Sequence, residues 1–127
     1  MDDAQSAQTV VQSMLAAWSP MDIAKIADFF TEDAVYVNVP TSTVRGQAEL
    51  RASLAQIEQV SSAHAFEILK VAAAGGLVFA ERIDRYEIAG QPFAPPVVGV
   101  FEVRGGKIAA WRDYFDREMA VVGLLSP

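Results

Sequence analysis

The segment VFAERIDRYEI at positions 78–88 constrains the fold of this chain more than any other stretch. It reads as a β-strand, in which successive side chains point to opposite faces. The odd-numbered face is largely charged, whereas the even-numbered face is apolar except for Arg82 and Asp84. If the apolar face points inward, it carries two charged groups into the interior, where each unpaired charge costs several kcal/mol. The alternative is a structural ion pair on a strand that faces water.

Length and composition indicate one globular domain over residues 1–127. A hydrophobic content of 52% with 20% charged residues is enough to form a core, and no apolar run approaches the ~18 residues of a membrane span. The polar, acidic start MDDAQSAQ lacks the basic and apolar regions of a secretory signal, so we expect a cytoplasmic protein.

Charge and residue usage exclude several classes of function. The net charge of −6 argues against nucleic acid or an anionic membrane as a partner. The absence of cysteine excludes disulfides, thiol nucleophiles and thiolate metal sites. The one histidine, His64, has no neighbouring nucleophile motif, and we expect it on a strand surface. We therefore expect no cofactor and no metal, and chemistry carried by carboxylate, arginine, amide and hydroxyl groups.

Apolar spacing and turn residues divide the chain into helices followed by strands. Helices are predicted at residues 5–19, 22–30 and 47–60, the second capped by Asp22. Strands are predicted at residues 34–39, 63–72, 78–88, 97–104 and 107–116. Residues 31–33 read as a turn, 41–46 as a loop, and the proline-rich segment 91–96 as a loop or strand edge. Gly105-Gly106 predicts a two-residue hairpin turn.

This order of elements predicts an α+β fold, with a curved, mostly antiparallel sheet wrapped around the helices as a cone. The last strand repeats the anomaly of the central one, because Asp113 interrupts an apolar face that includes Ala109, Trp111 and Phe115. A cone has an internal cavity, and this cavity gives Arg82, Asp84 and Asp113 a common place to meet.

Two interior carboxylates beside one arginine are suited to general acid–base catalysis. Arg82 compensates one carboxylate, while desolvation and like-charge repulsion make the other hold its proton. One carboxyl group is then an acid and the other a base, which is the division of roles that such catalysis needs when histidine is absent.

Three motifs together resemble the limonene-1,2-epoxide hydrolase family: AVYVNVP at 34–40, ERIDRY at 81–86 and GVFEVRGGKIAAWRDYFD at 99–116. The resemblance implies the nuclear-transport-factor-2-like, or SnoaL-like, fold. It also implies that Asp84 is the general acid and Asp113 the general base, with Arg82 between them. Tyr36 and Asn38 would position the attacking water.

The implied reaction is the one-step addition of water to a small apolar epoxide, without a cofactor, giving a vicinal diol. Pattern and resemblance predict a pocket lined by Leu15, Trp18, Ile57, Phe66, Tyr86, Val97 and Phe115. A homodimer is expected through an apolar set on the outer face of the sheet, formed by Val98, Val100, Ile108, Ala110 and Tyr114.

Two other functions are compatible with the same fold. One is a ketosteroid-isomerase-like or polyketide-cyclase-like enzyme, which also uses an interior aspartate. The other is a binding module without catalysis, in which the polar groups form a satisfied network in the core.

Overall fold

Helices and one seven-stranded sheet make up residues 3–120, the part of the chain described by the structure, which is a computed structural model. The helices are α1 (Asp3–Ala16), α2 (Ile23–Asp28) and α3 (Gly46–Val60). The strands are β1 (Phe30–Asn38), β2 (Ser42–Arg45), β3 (Ser62–Ala74), β4 (Leu77–Ile88), β5 (Gln91–Phe93), β6 (Pro96–Arg104) and β7 (Lys107–Phe115). Residues 117–120 are again helical.

The sheet is mixed, curved and unclosed, with the strand order β2-β1-β7-β6-β4-β3 and β5 paired to β4. β1 and β7 are parallel, and the other pairs are antiparallel. α1 packs against β3 and β4, while α3 packs against β1, so the core lies between the helices and the concave face. The predicted α+β cone is confirmed.

β4 has the orientation that its sequence predicts. Val78, Ala80 and Arg82 on the even-numbered face are fully buried, whereas Glu81 and Arg85 on the other face are exposed. The apolar face therefore points inward and carries its charged residues with it.

The first two helices are shorter than predicted. α1 ends at Ala16 rather than at residue 19, because the amides of Trp18 and Ser19 bond to carbonyl groups only three residues back. Trp18 packs into the core from this turn. Asp22 caps α2 as predicted, by accepting a hydrogen bond from the Lys25 amide, but that helix ends at Asp28. Within the described residues, no helix is long and apolar enough to cross a membrane.

The edge of the sheet was misread from the sequence. Residues 31–33 belong to β1, which begins at Phe30, and residues 42–45 form the strand β2 rather than part of a loop. Both segments lie near the exposed edge, where a strand needs no apolar alternation, and the β1 register shifts between Phe30 and Val35. The proline-rich segment contributes the short edge strand β5, which pairs only with β4.

A bulge in β7 changes one expected face. The register with β6 shifts, so that Glu102 pairs with Ala110 but Val103 pairs with Ile108. The extra residue is Ala109, and Ile108 is consequently buried in the core rather than exposed on the outer face. Of the predicted outer set, Val98 and Tyr114 are exposed, and Val100 and Ala110 are partly buried.

Candidate active site

Arg82 on β4 binds two carboxylates at once on the concave face of the sheet. Its Nε and Nη2 donate to the two oxygens of Asp84 at 2.9 and 2.8 Å. Its Nη1 and Nη2 donate to the two oxygens of Asp113 at 3.0 and 2.9 Å. The Arg82 side chain is completely buried, while those of Asp84 and Asp113 are 12% and 5% exposed. Both ion pairs are bidentate, which fixes the two carboxyl groups relative to each other.

Gly99 on β6 makes room for this cluster, because it lies between the strands that carry its members. It pairs with Ala80 of β4 on one side and with Asp113 of β7 on the other. A Cβ at this position would collide with Nη1 of Arg82 and lie 2.8 Å from Oδ1 of Asp113. Gly99 was not among the residues predicted for the site, although a glycine inside a strand indicates a close approach by other groups.

Aromatic rings surround the guanidinium group. Its central carbon lies 5.5 Å from the ring centroid of Phe66 and 5.8 Å from that of Trp111. Burial works against the charge of Arg82, but Asp113 and Asp84 hold its pKa above the ordinary value. The guanidinium therefore remains a fixed cation.

Asp113 is the more enclosed of the two acids. Besides its bonds from Arg82, it accepts a hydrogen bond from the indole N–H of Trp111 at 2.5 Å. Burial raises the pKa of Asp113 above its ordinary value, although Arg82 acts in the opposite direction. A carboxylate with a raised pKa binds a proton more strongly, which suits a general base.

Tyr36 and Asn38 reach the same place from β1. The parallel pairing of β1 with β7 sets Tyr36 beside Trp111 and Asn38 beside Asp113. The Tyr36 ring stacks on Trp111, with centroids 4.1 Å apart and an angle of 11° between the rings. Burial, and then the charge of Asp113, raise the pKa of Tyr36, so its phenol remains protonated.

A cavity of about 280 Å³ opens above the cluster, and Tyr36, Asn38, Asp84 and Asp113 line it. Among the residues predicted for the pocket, its walls contain Trp18, Ile57, Phe66, Tyr86, Val97 and Phe115. Leu15 does not line the cavity, which corrects our expectation. It lies on the face of α1 that packs into the hydrophobic core.

His64 also differs from our expectation, because it lines the cavity and is only 7% exposed. The signal was present in the sequence: on a strand, His64 shares a face with Phe66 and Ile68, while Ala65 and Glu67 point to the other side. Phe66 and Ile68 pack against the core, and Ala65 and Glu67 are exposed.

The site offers two carboxyl groups, a fixed cation, a phenol and an amide beside an apolar wall. This combination can deliver a proton to one atom of a small ligand while removing a proton from a water molecule at another. Within residues 3–120, no three His, Asp or Glu side chains are arranged as metal ligands.

A family model and a related protein of known activity indicate the same family. The model of the limonene-1,2-epoxide hydrolase catalytic domain matches residues 5–124. The epoxide hydrolase EphG of Mycobacterium tuberculosis is 35% identical over 115 residues, which cover 91% of this chain and 76% of that protein.

Solved structures show the same fold. The structure of a limonene-epoxide-hydrolase-like epoxide hydrolase from M. tuberculosis superposes with a TM-score of 0.85 at 32% identity, covering 96% of this chain and 91% of the other. A protein described as a SnoaL-like polyketide cyclase from Shewanella putrefaciens gives a TM-score of 0.82 at 16% identity, covering 95% and 97% of the two chains. The second likeness concerns the fold alone, and it confirms the predicted nuclear-transport-factor-2-like, SnoaL-like architecture.

Proposed function

The chain belongs to the limonene-1,2-epoxide hydrolase family, and from this premise we propose that it opens a small epoxide with water at the cluster of Arg82, Asp84 and Asp113. The chain is an epoxide hydrolase of this family. The observation that carries the assignment of the cluster is that one buried arginine holds two carboxyl groups against the wall of a cavity. The product is a vicinal diol.

Asp84 acts as the general acid. As the C–O bond of the epoxide breaks, the carboxyl group of Asp84 gives a proton to the departing oxygen, which becomes one hydroxyl group of the diol. Asp84 is suited to this role because it lines the cavity while Arg82 fixes its orientation. Ring strain contributes to the driving force, so one positioned acid and one positioned base suffice.

Asp113 acts as the general base toward the attacking water. The water oxygen bonds to the epoxide carbon, and its proton passes to Asp113. Asn38, which pairs with Asp113 across the parallel strands, accepts a hydrogen bond from the O–H that the water retains, and the Tyr36 hydroxyl donates a hydrogen bond to the water oxygen. A water bound in this way keeps one lone pair for attack.

Arg82 holds the acid and the base apart in a fixed geometry and resets them. After each turnover Asp113 carries a proton and Asp84 has lost one, so one proton must return to Asp84. Arg82 donates to both carboxyl groups through the same Nη2 atom and therefore lies on the direct route between them.

The substrate is a small and mainly apolar epoxide. A cavity of about 280 Å³ is at the lower end of ligand pockets, which begin near ~300 Å³. Ile57, Phe66, Val97 and Phe115 supply an apolar lining.

A single-turnover experiment tests direct attack by water. Excess enzyme is mixed with epoxyhexane in heavy-oxygen water, and the diol and the peptides that contain Asp84 and Asp113 are analysed by mass spectrometry. Direct attack places the label in the diol and none in the protein. A covalent ester would instead transfer a carboxylate oxygen to the first diol formed. Unlabelled diol from the first turnover would contradict this mechanism.

We further propose one domain over residues 1–127, a cytoplasmic location and a homodimer without nucleic acid or membrane as partners. The exposed side chains of Val98 and Tyr114, together with Phe79, support the outer face of the sheet as the dimer contact. Light scattering should give twice the mass of the 13.7 kDa chain at micromolar concentration. The mass of one chain would reject the dimer.

A further inference from the structure

His64 and Trp18 give the cavity a polar region that the proposed reaction does not use. Both side chains line the same cavity as Asp84 and Asp113. His64 lies in the irregular stretch of β3 between Ser62 and Ala65, and its ring stacks on that of Tyr86 with centroids 6.3 Å apart. Tyr86 is two residues along β4 from Asp84. Two residues of a strand span about 7 Å, so this region lies roughly that far from the acid.

The hydrogen bonds of Ser61 fix the tautomer of His64. The Ser61 hydroxyl has one proton and donates it to the carbonyl oxygen of Ile57 at 2.7 Å. The 2.9 Å contact between Ser61 Oγ and His64 Nε2 must then run the other way, with Nε2–H donating to the hydroxyl oxygen. Burial lowers the pKa of His64, so the ring is neutral. Its Nδ1 atom consequently carries a free lone pair.

Two polar atoms on this wall therefore have no hydrogen-bond partner in the described part of the chain. Among the side chains of residues 3–120, nothing donates a hydrogen bond to His64 Nδ1. In the same part of the chain, the indole N–H of Trp18 is a buried donor without an acceptor, in a residue that is 3% exposed. The two rings meet edge to face, with centroids 5.8 Å apart. Buried polar groups normally find partners, so the buried indole N–H without an acceptor, beside the unpaired Nδ1 of His64, indicates a ligand group.

We infer that this region binds a hydroxyl group of the substrate, which accepts a hydrogen bond from Trp18 and donates one to Nδ1 of His64. A hydroxyl combines the donor and the acceptor that the two residues lack. The inference rests on the proposed function and deepens it: the preferred substrate class is an epoxide with a hydroxyl group at the far end of a short apolar chain.

Matched substrates test the preference. Epoxyhexanol carries a hydroxyl at the end opposite the epoxide, and its methyl ether keeps the oxygen but cannot donate to His64. We expect kcat/KM for epoxyhexanol to exceed that for the ether about tenfold, the range of one to two hydrogen bonds. The ratio should fall to about one in His64→Phe, which keeps a ring but has no acceptor. Glu58→Gln, an exposed control on α3, should keep the ratio of the unmodified enzyme.

Nitrogen NMR tests the same contact without turnover, in Asp84→Asn enzyme labelled with nitrogen-15. His64 is the one histidine of the sequence, so its imidazole signals need no separate assignment. We expect a protonated Nε2 and an unprotonated Nδ1, and a shift of the Nδ1 resonance with epoxyhexanol but not with the ether. Ser61→Ala, combined with Asp84→Asn, removes the hydroxyl group that holds the Nε2–H tautomer, so it should weaken the shift of the Nδ1 resonance.

The outcomes separate the two claims. Hydrolysis of both substrates at equal efficiency, with no Nδ1 shift, would overturn the hydroxyl site and leave the proposed function intact. A protonated Nδ1 in the free enzyme would also overturn it. An Nδ1 shift without hydrolysis of either substrate by the unmodified enzyme would overturn the proposed function and support the hydroxyl site.

Discussion

The two faces of β4 each carry an arginine paired with an acid, and the pairs differ in almost everything except distance. Arg82 on the inner face lies 2.8 Å from Asp84, and Arg85 on the outer face lies 2.8 Å from Glu67. The Arg82 side chain is completely buried, whereas those of Arg85 and Glu67 are 53% and 52% exposed. The same contact is therefore made in two different dielectric environments.

Burial decides what each pair contributes. An exposed pair is screened by water and salt and contributes about 0–1 kcal/mol. Burying a pair costs the desolvation free energy of both ions, and replacing a buried pair with apolar residues is often neutral or stabilising. Stability alone therefore gives no reason for the inner cluster, and we interpret its cost as the requirement of a reaction that needs acid and base in fixed positions.

The largest difference between the faces should be in activity. Asp84→Asn and Asp113→Asn each keep the shape of the side chain but can neither give nor take the catalytic proton, so kcat/KM on epoxyhexane should fall by at least ~10²-fold. Glu67→Gln is the matched control on the outer face and should change kcat/KM less than twofold, an effect of order 0.4 kcal/mol or below. Wild-type turnover by either aspartate variant, after purification as a folded protein, would refute the assigned roles.

Stability should separate the two arginines next. Arg82→Met leaves two buried carboxyl groups without their cation and should lower the free energy of unfolding by about 3–5 kcal/mol. Arg85→Met removes an exposed partner of Glu67 and should cost no more than about 1 kcal/mol. Urea unfolding followed by far-ultraviolet circular dichroism measures both values. Equal losses in the two variants would show that burial does not distinguish these pairs.

Two glycine substitutions sharpen the comparison. Gly99→Ala forces a methyl group against Arg82 and Asp113, and overpacking of this kind costs about 1–3 kcal/mol. Gly90→Ala, at the turn after β4, meets nothing within 4 Å, but its φ of 80° imposes a backbone strain of about 1 kcal/mol. We expect both variants to lose stability and only Gly99→Ala to lose activity. Unchanged kcat/KM in Gly99→Ala would show that the cluster tolerates displacement.

The smallest effect should appear as a dependence of stability on pH. The pKa of Asp113 is raised in the folded protein, so its neutral form is favoured by folding. Its contribution to stability is complete below the unfolded pKa, near 3.8, and is lost as the pH rises through the folded pKa. The exposed Asp33 has a lowered pKa, through Thr31, its own backbone and Arg104, so its contribution has the opposite sign.

Asp113→Asn isolates that contribution. Relative to this variant, the unmodified protein should lose stability as the pH rises from about 4 through the folded pKa of Asp113, and thermal unfolding in a pH series measures the difference. If Asp113 is the base, its limb of the kcat/KM profile should lie in the same interval, because a general base acts only when it is ionised. A stability difference that does not change with pH would contradict the raised pKa.

Much of the fold and of the inner face of β4 was predictable, because alternation along the strand separates an apolar face from a charged one, although it left open which face points inward. Arg82, Asp84 and Asp113 could be placed together because β4, β6 and β7 are antiparallel neighbours, and Gly105-Gly106 forms the tight turn between the last two at positive φ.

Other parts could not be predicted, for physical reasons that differ from place to place. The bulge at Ala109 turns Ile108 into the core, and one inserted residue leaves no local signal in a strand of small apolar side chains. The edge strand β2 is mostly exposed and so lacks an apolar pattern. From the sequence, Gly99 is only a residue that weakens a strand, because the guanidinium group that approaches it cannot be seen there. For His64, the alternation was readable and our interpretation was wrong.

The parallel pairing of β1 with β7 determines when during synthesis the site can exist. Asn38 and Asp113 lie side by side in the sheet, yet their strands are the first and the last along the sequence. Nearly the whole chain must therefore be made before they meet. Contacts between segments so distant in sequence form slowly, because a long loop must be closed first. A nascent chain that lacks β7 holds Arg82 and Asp84 without Asp113, the base that we propose, and it leaves open the edges of β1 and β6 that β7 covers. Catalysis and protection against edge-to-edge association thus begin with the same late event, the insertion of β7 between β1 and β6.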